Sequence, residues 1–403
     1  MANNILTHQM LAREAAAMLS EEMNFLSNIN RGREEEFKTQ PNGYKKGDSV
    51  DIGIPPVPTV FDGSNFAGGG AAPDQAEQKV RLQLATQKHV PLTFTAKEKA
   101  LSITDFKERF LKPAMNSLGS VVQADLIQRA VVATPNVVGT PGTIPNTFKT
   151  YGQARGTLER FLAPEGDRSV LVSSDASNEL ADAIKNQQNP GDTVNKSFLQ
   201  GYMTRAQGFD MFENQSLPIF ANGSATGFTV NGAGQTGATL NIGGLTAAQT
   251  ILKGTVFTIP GVYAVHPVLG VSNGKLRQFV VTGDFTAAGA TGSIGIYPPL
   301  STSSASVVGT VSSLPANGAA VSLVGSASTG YRQHLAFHKN AFTAAFAPLP
   351  ILASCEGYTA TVGGFSVRVM TFGNGQTDTE STRIDVLYGF AAVRPDHAAR
   401  ITE

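Results

Sequence analysis

Apolar residues recur every four positions between Leu101 and Val132: Phe106, Phe110, Ala114, Leu118, Val122, Leu126 and Ala130 fall on one side. That spacing predicts one long amphipathic helix, because residues three and four apart share a helix face. Ser102 and Thr104 offer N-caps, and Asp105 and Glu108 fall in the first turn, where the positive end of the helix dipole favours carboxylates. Pro113 removes one backbone donor, but the stripe keeps phase across it, so a single bent helix is expected. Nearer the start, Leu11, Ala15, Met18, Leu19, Met23 and Leu26 make a second helical stripe, capped by Thr7 and ending near Asn30 to Gly32.

Elsewhere the period is two. Val50, Ile52 and Ile54 alternate with polar or small residues, as do Val80, Leu82 and Leu84, which predicts a two-stranded ribbon over 48–92 with an unpatterned tip at Asp62 to Gly70. A lone ribbon is marginal in water, so something must lie under it, and a neighbouring copy is the simplest cover. Leu11, Leu19, Phe61, Phe66, Val80, Leu82 and Leu84 are therefore the candidate contacts between subunits. Phe106, Phe110, Leu118, Val122 and Leu126 are the candidate core of the long helix.

After a Pro/Gly/Thr linker at Thr134 to Pro145, the pattern reads as a compact α/β block. It predicts a helix over Gln153 to Leu162, a strand over Arg168 to Ser173, and a helix over Asn178 to Asn186 capped by Asp175. A further helix over Phe198 to Ala206 and strands at Gly208 to Phe212 and Leu217 to Phe220 complete it. Residues 221–332 are crowded with Gly, Ser, Thr, Ala and Val, with strands expected at Phe228 to Val230, Ala238 to Ile242, Thr255 to Ile259, Gln278 to Thr282, Gly292 to Ile296 and Ala320 to Val324. Asn231-Gly232 and Asn273-Gly274 read as hairpin turns. A second ribbon is expected from Phe365 to Thr371 and Arg383 to Tyr388 around the polar loop Gly373 to Thr379, with a final short strand at Ala391 to Pro395.

Composition narrows the function. Lys plus Arg equals Asp plus Glu at 31 each, so the formal net charge is zero. A protein that grips nucleic acid through its phosphates normally carries a basic surplus. Charged residues make up only 15% of the chain, which suits a protein that hides surface in partners. The one cysteine, Cys355, allows neither an internal disulfide nor a cysteine-based metal site. The start of the chain lacks the pattern of a secretory signal, and no apolar run reaches the ~18 residues of a spanning helix. Synthesis and folding in a cytosol are expected.

Candidate chemistry is thin. Gly270-Val271-Ser272-Asn273-Gly274 fits the G-x-S-x-G pattern of a nucleophile elbow, but the residues after it read as strand where that motif needs a helix. Lys275 completes no phosphate-binding loop. His334 and His338, four apart, could share a helix face with a metal, but no HExxH pattern accompanies them, and a packing role is favoured. No catalytic residue, cofactor or metal site is assigned, and the chain does not read as an enzyme.

The order of these elements carries a resemblance. The pieces Phe110-Leu111-Lys112-Pro113-Ala114, Gly208-Phe209-Asp210 with Leu217-Pro218, Ala225 to Val230, Leu335-Ala336-Phe337-His338 with Ala341-Phe342, and Tyr388-Gly389 with Arg394-Pro395 follow one another as in the major capsid (coat) proteins of short-tailed bacteriophages. The chain resembles that family over nearly its whole length. The resemblance implies an α+β tailed-phage major capsid protein fold with an inserted β-barrel. Mapped onto this sequence, it implies an N-terminal arm (1–47), an extended loop (48–92) and a peripheral domain with a spine helix (93–150). An axial domain (151–220) follows, then an inserted β domain (221–332), the axial domain continued (333–362), a peripheral β-ribbon (363–392) and a C-terminal strand (393–403).

The implied function is a structural subunit of an icosahedral shell, present in the virion and assembled in the host cytoplasm. The implied partners are further copies in hexamers and pentamers, a separate scaffolding protein and a portal protein, with a decoration protein as an additional candidate. Double-stranded DNA would be enclosed without specific binding, and no membrane is involved. The competing reading is a β-rich surface protein whose 221–332 region binds carbohydrate or a receptor, motivated by its Gly/Ser/Thr-rich strands.

Overall fold

A computed structural model of the chain describes residues 8–32, 49–55, 57, 60, 63–65, 78–95, 107–184, 205–303, 308–374 and 379–403. In chain order these form helices α1 (His8–Glu22) and α2 (Asn24–Ser27), then strands β1 (Ser49–Ile54), β2 (Gln78–Gln83) and β3 (Thr86–Thr95). A π-helical turn (Lys107–Leu111) runs into helix α3 (Lys112–Ala133). Next come β4 (Val137–Val138), α4 (Phe148–Arg160), β5 (Arg168–Val172), α5 (Ser174–Ile184), β6 (Arg205–Ala206), β7 (Phe209–Glu213) and β8 (Ile219–Ala221). The insert holds β9 (Thr229–Val230), β10 (Gly237–Gly243), β11 (Thr250–Ile251), β12 (Val256–Val265), β13 (Ser272–Val281), β14 (Phe285–Thr286), β15 (Thr291–Leu300) and β16 (Ser322–Leu323). The chain closes with β17 (Gly330–His338), β18 (Phe342–Ala347), β19 (Glu356–Val362), β20 (Phe365–Asn374), β21 (Thr379–Ala392) and β22 (Ala398–Thr402).

The chain divides into two compact units. One comprises Met1–Ile52, Val80–Ile127 and Phe342–Val393; the other comprises Gly53–Lys79, Gln128–Ala341 and Arg394–Glu403. The first unit is organised by the long strand β21, which pairs with β3, β18 and β20, with β19 beyond β20. The expected second ribbon is thus the middle of a five-stranded sheet. The strand β3, at the end of the expected extended loop, belongs to it through a ten-residue antiparallel register with β21.

Helix α1 packs on β19 and β20. Ala12, Ala15, Ala16, Leu19, Met23, Phe25, Leu26 and Ile29 are buried, and Phe25 meets Phe342 at 6.2 Å between ring centroids. Asn30 then adds a parallel bridge to Thr343. Small residues on one helix stripe let α1 approach the sheet closely. The arm helix therefore takes its cover from its own chain, which corrects the expectation that Leu19 is a contact between subunits.

The ribbon β1–β2 forms as expected. Its apolar positions also find cover in the same chain: Ile52, Leu82, Ala345 and Ala391 make one cluster, with Val80, Leu84 and Val393 against it. Gly389 marks a close approach. A Cβ there would stand 2.3 Å from the Gln83 carbonyl oxygen, which is backbone and cannot swing aside. We expect Gly389→Ala to push the β2–β3 corner off β21 and cost about 1–3 kcal/mol, typical of overpacking, read as a lowered urea midpoint.

The long helix is present, with a different entry. Helical conformation runs without a break from Lys107, and a π turn takes the place of the simple bend, with Pro113 just after the switch from π to α, where the backbone bonding pattern is already interrupted. Leu118, Val122 and Leu126 are buried as expected, and Phe110 is half-buried. Phe106 lies outside the described residues.

In the second unit a mixed sheet runs β4-β22-β17-β5-β7-β6, with β8 on the first half of β17. Helix α4 packs on β22, β17 and β4. Its Tyr151, Ala154 and Leu158 join Val170, Val172, Leu180, Phe209, Met211, Ala336, Ala399 and Ile401 in one core. Several boundaries are corrected here. The expected linker contains β4, which pairs with β22, and Thr134 to Asn136 are buried. The cap of α5 is Ser173, whose hydroxyl accepts from the Ala176 N–H, and Asp175 lies in the first turn. Arg205–Ala206 is strand; the rest of the helix expected over Phe198 to Ala206 lies outside the described residues. The last strand is β22, not Ala391 to Pro395.

The insert closes into a barrel. Its sheet order is β16-β12-β13-β15-β10-β9, and β9 joins the segment just before β16. The Val230 N–H donates to the Ala319 carbonyl, Gly318 N–H to Val230, and Val321 N–H to Phe228. Phe228, Leu240, Ile242, Phe257, Ile259, Phe279, Val281, Ile294 and Ile296 fill the interior. A barrel this small is packed with side chains and leaves no open sheet edge. All six expected insert strands are found, four of them longer than expected. The Asn273-Gly274 turn is corrected: the β12–β13 connection is His266 to Val271, and Gly274, at φ +73°, sits inside β13 at a register irregularity.

Candidate functional site

Two features stand out among the described residues: the joint between the barrel and the mixed sheet, and the apolar surface left uncovered. The main joint lies in the second unit, where the barrel meets the mixed sheet. Arg400 of β22 is fully buried. Its guanidinium donates to the carbonyls of Gly254 (2.8 Å), Thr134 (2.9 Å) and Val132 (3.4 Å). Two of these are carbonyls at the C-terminal end of α3, where the helix dipole favours a cation. Burial alone pulls the Arg400 pKa down to about 9. Gly254, at φ +97°, turns the chain tightly against Val132 and Phe220, so its carbonyl reaches the guanidinium.

Two further contacts flank this one. Arg277 of β13 donates to Asp396 at 2.6 Å and lies 4.4 Å over the Phe161 ring. The Gln278 side-chain amide accepts from the Val137 N–H and donates to the Val137 carbonyl, completing the edge of β4 as a neighbouring strand would. These polar residues fix the barrel's register on the sheet through directional bonds. None of them was singled out from the sequence, where buried Arg and Gln look like surface residues.

The candidate chemistry finds structural roles. Ser272 sits in β13 with strand after it, so no nucleophile elbow forms. His334 and His338 lie in a strand, β17, not a helix. His334 Nε2 lies 2.9 Å from Glu403, which also accepts from Ser173 and holds Arg332. The carboxylate stands between serine and histidine, an order that cannot pass a proton from hydroxyl to imidazole. The bond from His334 is the main reason the Glu403 pKa is lowered. Among the described residues no group of His, Cys, Asp and Glu could hold a metal ion.

His338 and His397 meet edge to face at 6.2 Å. His397 donates through Nε2 to the Phe161 carbonyl. Burial first, then the charge of Arg394, lowers its pKa to about 4, and burial also lowers that of His338. In the unfolded chain a histidine titrates near ~6.5, so between the two values the unfolded state binds more protons. The stability His397 contributes is complete above ~6.5 and is lost as pH falls toward 4, by up to roughly 3 kcal/mol. Melting temperatures measured from pH 7 to 4 should show that loss, and His397→Asn should flatten it.

Of the expected contact residues, Leu19 and Leu82 are fully buried within the chain, Leu11 is half-buried on α1, and Val80 and Leu84 pack beside Leu82. Phe61 and Phe66 lie outside the described residues. Single exposed apolar residues are scattered, among them Val60, Ile219 and Leu352, but a run of them lies on the β12–β13 hairpin: Tyr263, Val268, Leu269, Val271 and Leu276, with Leu269 70% exposed. The signal for it was present in Pro267-Val268-Leu269, an apolar run inside a turn.

No helix among the described residues is long and apolar enough to cross a membrane. A search of curated proteins returns no match. Among solved structures the chain is similar to one from Mycobacterium phage Che8, at 12% identity and TM-score 0.50 over 94% of this chain and 90% of that one. It is also similar to the capsid structure of the cyanophage P-SCSP1u (11%, TM-score 0.45, 88% and 83%) and the mature capsid of bacteriophage PhiM1 (9%, TM-score 0.44, 90% and 83%). At such identity the likeness to the Che8 structure speaks for the fold alone. Residues 58–400 match the model of the P22 coat protein, gene protein 5. That match spans most of the sequence, and the chain therefore belongs to the P22 coat protein family and is a structural subunit of the virion capsid.

Proposed function

We propose that this chain closes into an icosahedral shell of hexamers and pentamers around double-stranded DNA. Assembly takes a scaffolding protein and a portal protein, with a decoration protein as a further partner, and the chain has no catalytic role. The observation that carries the reading is the exposed apolar hairpin of the insert, Val268, Leu269 and Val271, on a barrel whose other apolar strands are packed inward. A rigid domain offering one small apolar tip suits a contact repeated many times, where weak interactions add across a shell. Balanced charge suits a wall facing packed DNA without holding it. No finding supports a carbohydrate- or receptor-binding role for the insert.

The test is to express the chain with and without a scaffolding protein and image the products by negative-stain microscopy. Closed shells of uniform size are expected with the scaffold. Monomers alone under both conditions would sink the proposal.

A further inference from the structure

Within the second unit, α4 and the insert face each other across an open cleft of about 790 Å³. Its walls include Val137, Phe148 and Leu276, and its charged lining is Lys149, Arg160 and Lys275, with no carboxylate among the lining residues. None of these three cations forms an ion pair among the described residues. Arg160 is half-buried, and its printed side-chain bond goes to the Thr157 hydroxyl. Burial lowers its pKa, the sign of a charge held without compensation.

The same unit carries the opposite charge on another surface. Helix α5 buries Ala176 and Leu180 and exposes Asp175, Glu179 and Asp182. Positions i, i+4 and i+7 lie on one helix face, so the three carboxylates span about 10 Å. Asp175 shares Arg332 with Glu403, while Glu179 has no ion pair among the described residues.

We propose that the acidic face of α5 in one copy docks into the cation-lined cleft of the next copy, and that this contact closes the ring of each capsomer. The proposal rests on the reading of the chain as a shell subunit. Two different, complementary patches on one chain make a head-to-tail contact, which generates closed rings when the rotation closes. Opposite charges also set orientation and speed encounter more than they add affinity. The cleft lines its cations with both apolar side chains (Val137, Phe148, Leu276) and uncharged polar ones (Gln153, Thr157, Gln207, Thr258), a mixed surface of the kind a helix face of a second copy can meet.

The experiment uses the full chain with its scaffold. Lys149→Glu with Lys275→Glu reverses the cleft, Glu179→Lys with Asp182→Lys reverses the helix, and a third protein carries all four changes. Thermal melting checks that each folds. Should a reversal fail to fold, Lys275→Gln and Glu179→Gln replace it, with the salt dependence of wild-type assembly as a second readout. Each reversed protein is expected to lose about tenfold in capsomer and shell yield, and the fourfold variant to recover most of it. Wild-type yield from either reversed protein, or no recovery in the combination, would overturn the contact while leaving the capsid reading intact. Normal shells combined with lost DNA binding by the cleft variant would overturn it too, and assign the cations to phosphate. If the wild type itself makes no shells, the capsid reading falls and this contact with it.

Discussion

Arg400→Ala is expected to lower the unfolding free energy by about 3–5 kcal/mol, enough to leave much of the protein unfolded at 37 °C. The physical reason is the asymmetry between replacing a buried polar pair and breaking one. Arg400 donates to three backbone carbonyls, on Val132, Thr134 and Gly254. Those acceptors cannot be mutated away, so alanine leaves them buried and unpaired beside a cavity the size of an arginine side chain. Arg400→Met fills most of the volume and leaves the carbonyls orphaned, which separates the two costs. Arg400→Lys keeps the cation but cannot reach three acceptors with fork geometry, so it should fall between the wild type and Arg400→Met. Urea titration of the three variants should give the order Lys, Met, Ala in decreasing stability. A loss under 1 kcal/mol for Arg400→Ala would show that water satisfies the carbonyls and that the joint lies elsewhere.

What the sequence revealed follows from the range of each interaction. The barrel strands were legible because alternation such as Phe279 and Val281 is local, and so was α3, whose stripe repeats through Leu118, Val122 and Leu126. Two things are not local. Strand β3 pairs with β21 across nearly the whole chain, Val90 opposite Ile384, and nothing near residue 90 names that partner. The cover of α1 likewise comes from β19 and β20, so a stripe without a neighbour in sequence left open whether its own domain or a neighbouring subunit covers it. His334 and His338 illustrate an ambiguity of period. Four residues apart is one face of a helix and also one face of a strand, and β17 took the second. Buried charge was invisible for a different reason. Arg400, Arg277 and Asp385 are residue types usually found on surfaces, and only the assembled fold shows their partners: backbone carbonyls for Arg400, Asp396 for Arg277, and Arg368 and Arg383 for Asp385.

Asp385→Ala should be comparably costly in the first unit, about 3–5 kcal/mol, for the mirror-image reason. Asp385 in β21 has no exposed surface. Arg368, directly opposite on β20, reaches one carboxylate oxygen with Nη2 at 2.8 Å and Nε at 3.2 Å. Arg383 donates to the other oxygen at 2.7 Å, and Gln87 of β3 donates to that oxygen at 3.0 Å. One carboxylate thus ties β3, β20 and β21 at the centre of the five-stranded sheet. Removing it leaves Arg368, itself nearly buried, with a single carbonyl partner at Pro350. An uncompensated guanidinium in that position must either draw water into the sheet or swing out and part the strands. Arg368→Met combined with Asp385→Leu tests this, since exchanging both charges for apolar groups avoids the orphan and should cost much less than Asp385→Ala alone. In a double-mutant cycle by urea unfolding, a coupling of about 2 kcal/mol or more between the two positions is the expected result. Simple additivity would mean that Arg383 and Gln87, not Arg368, hold the carboxylate in place.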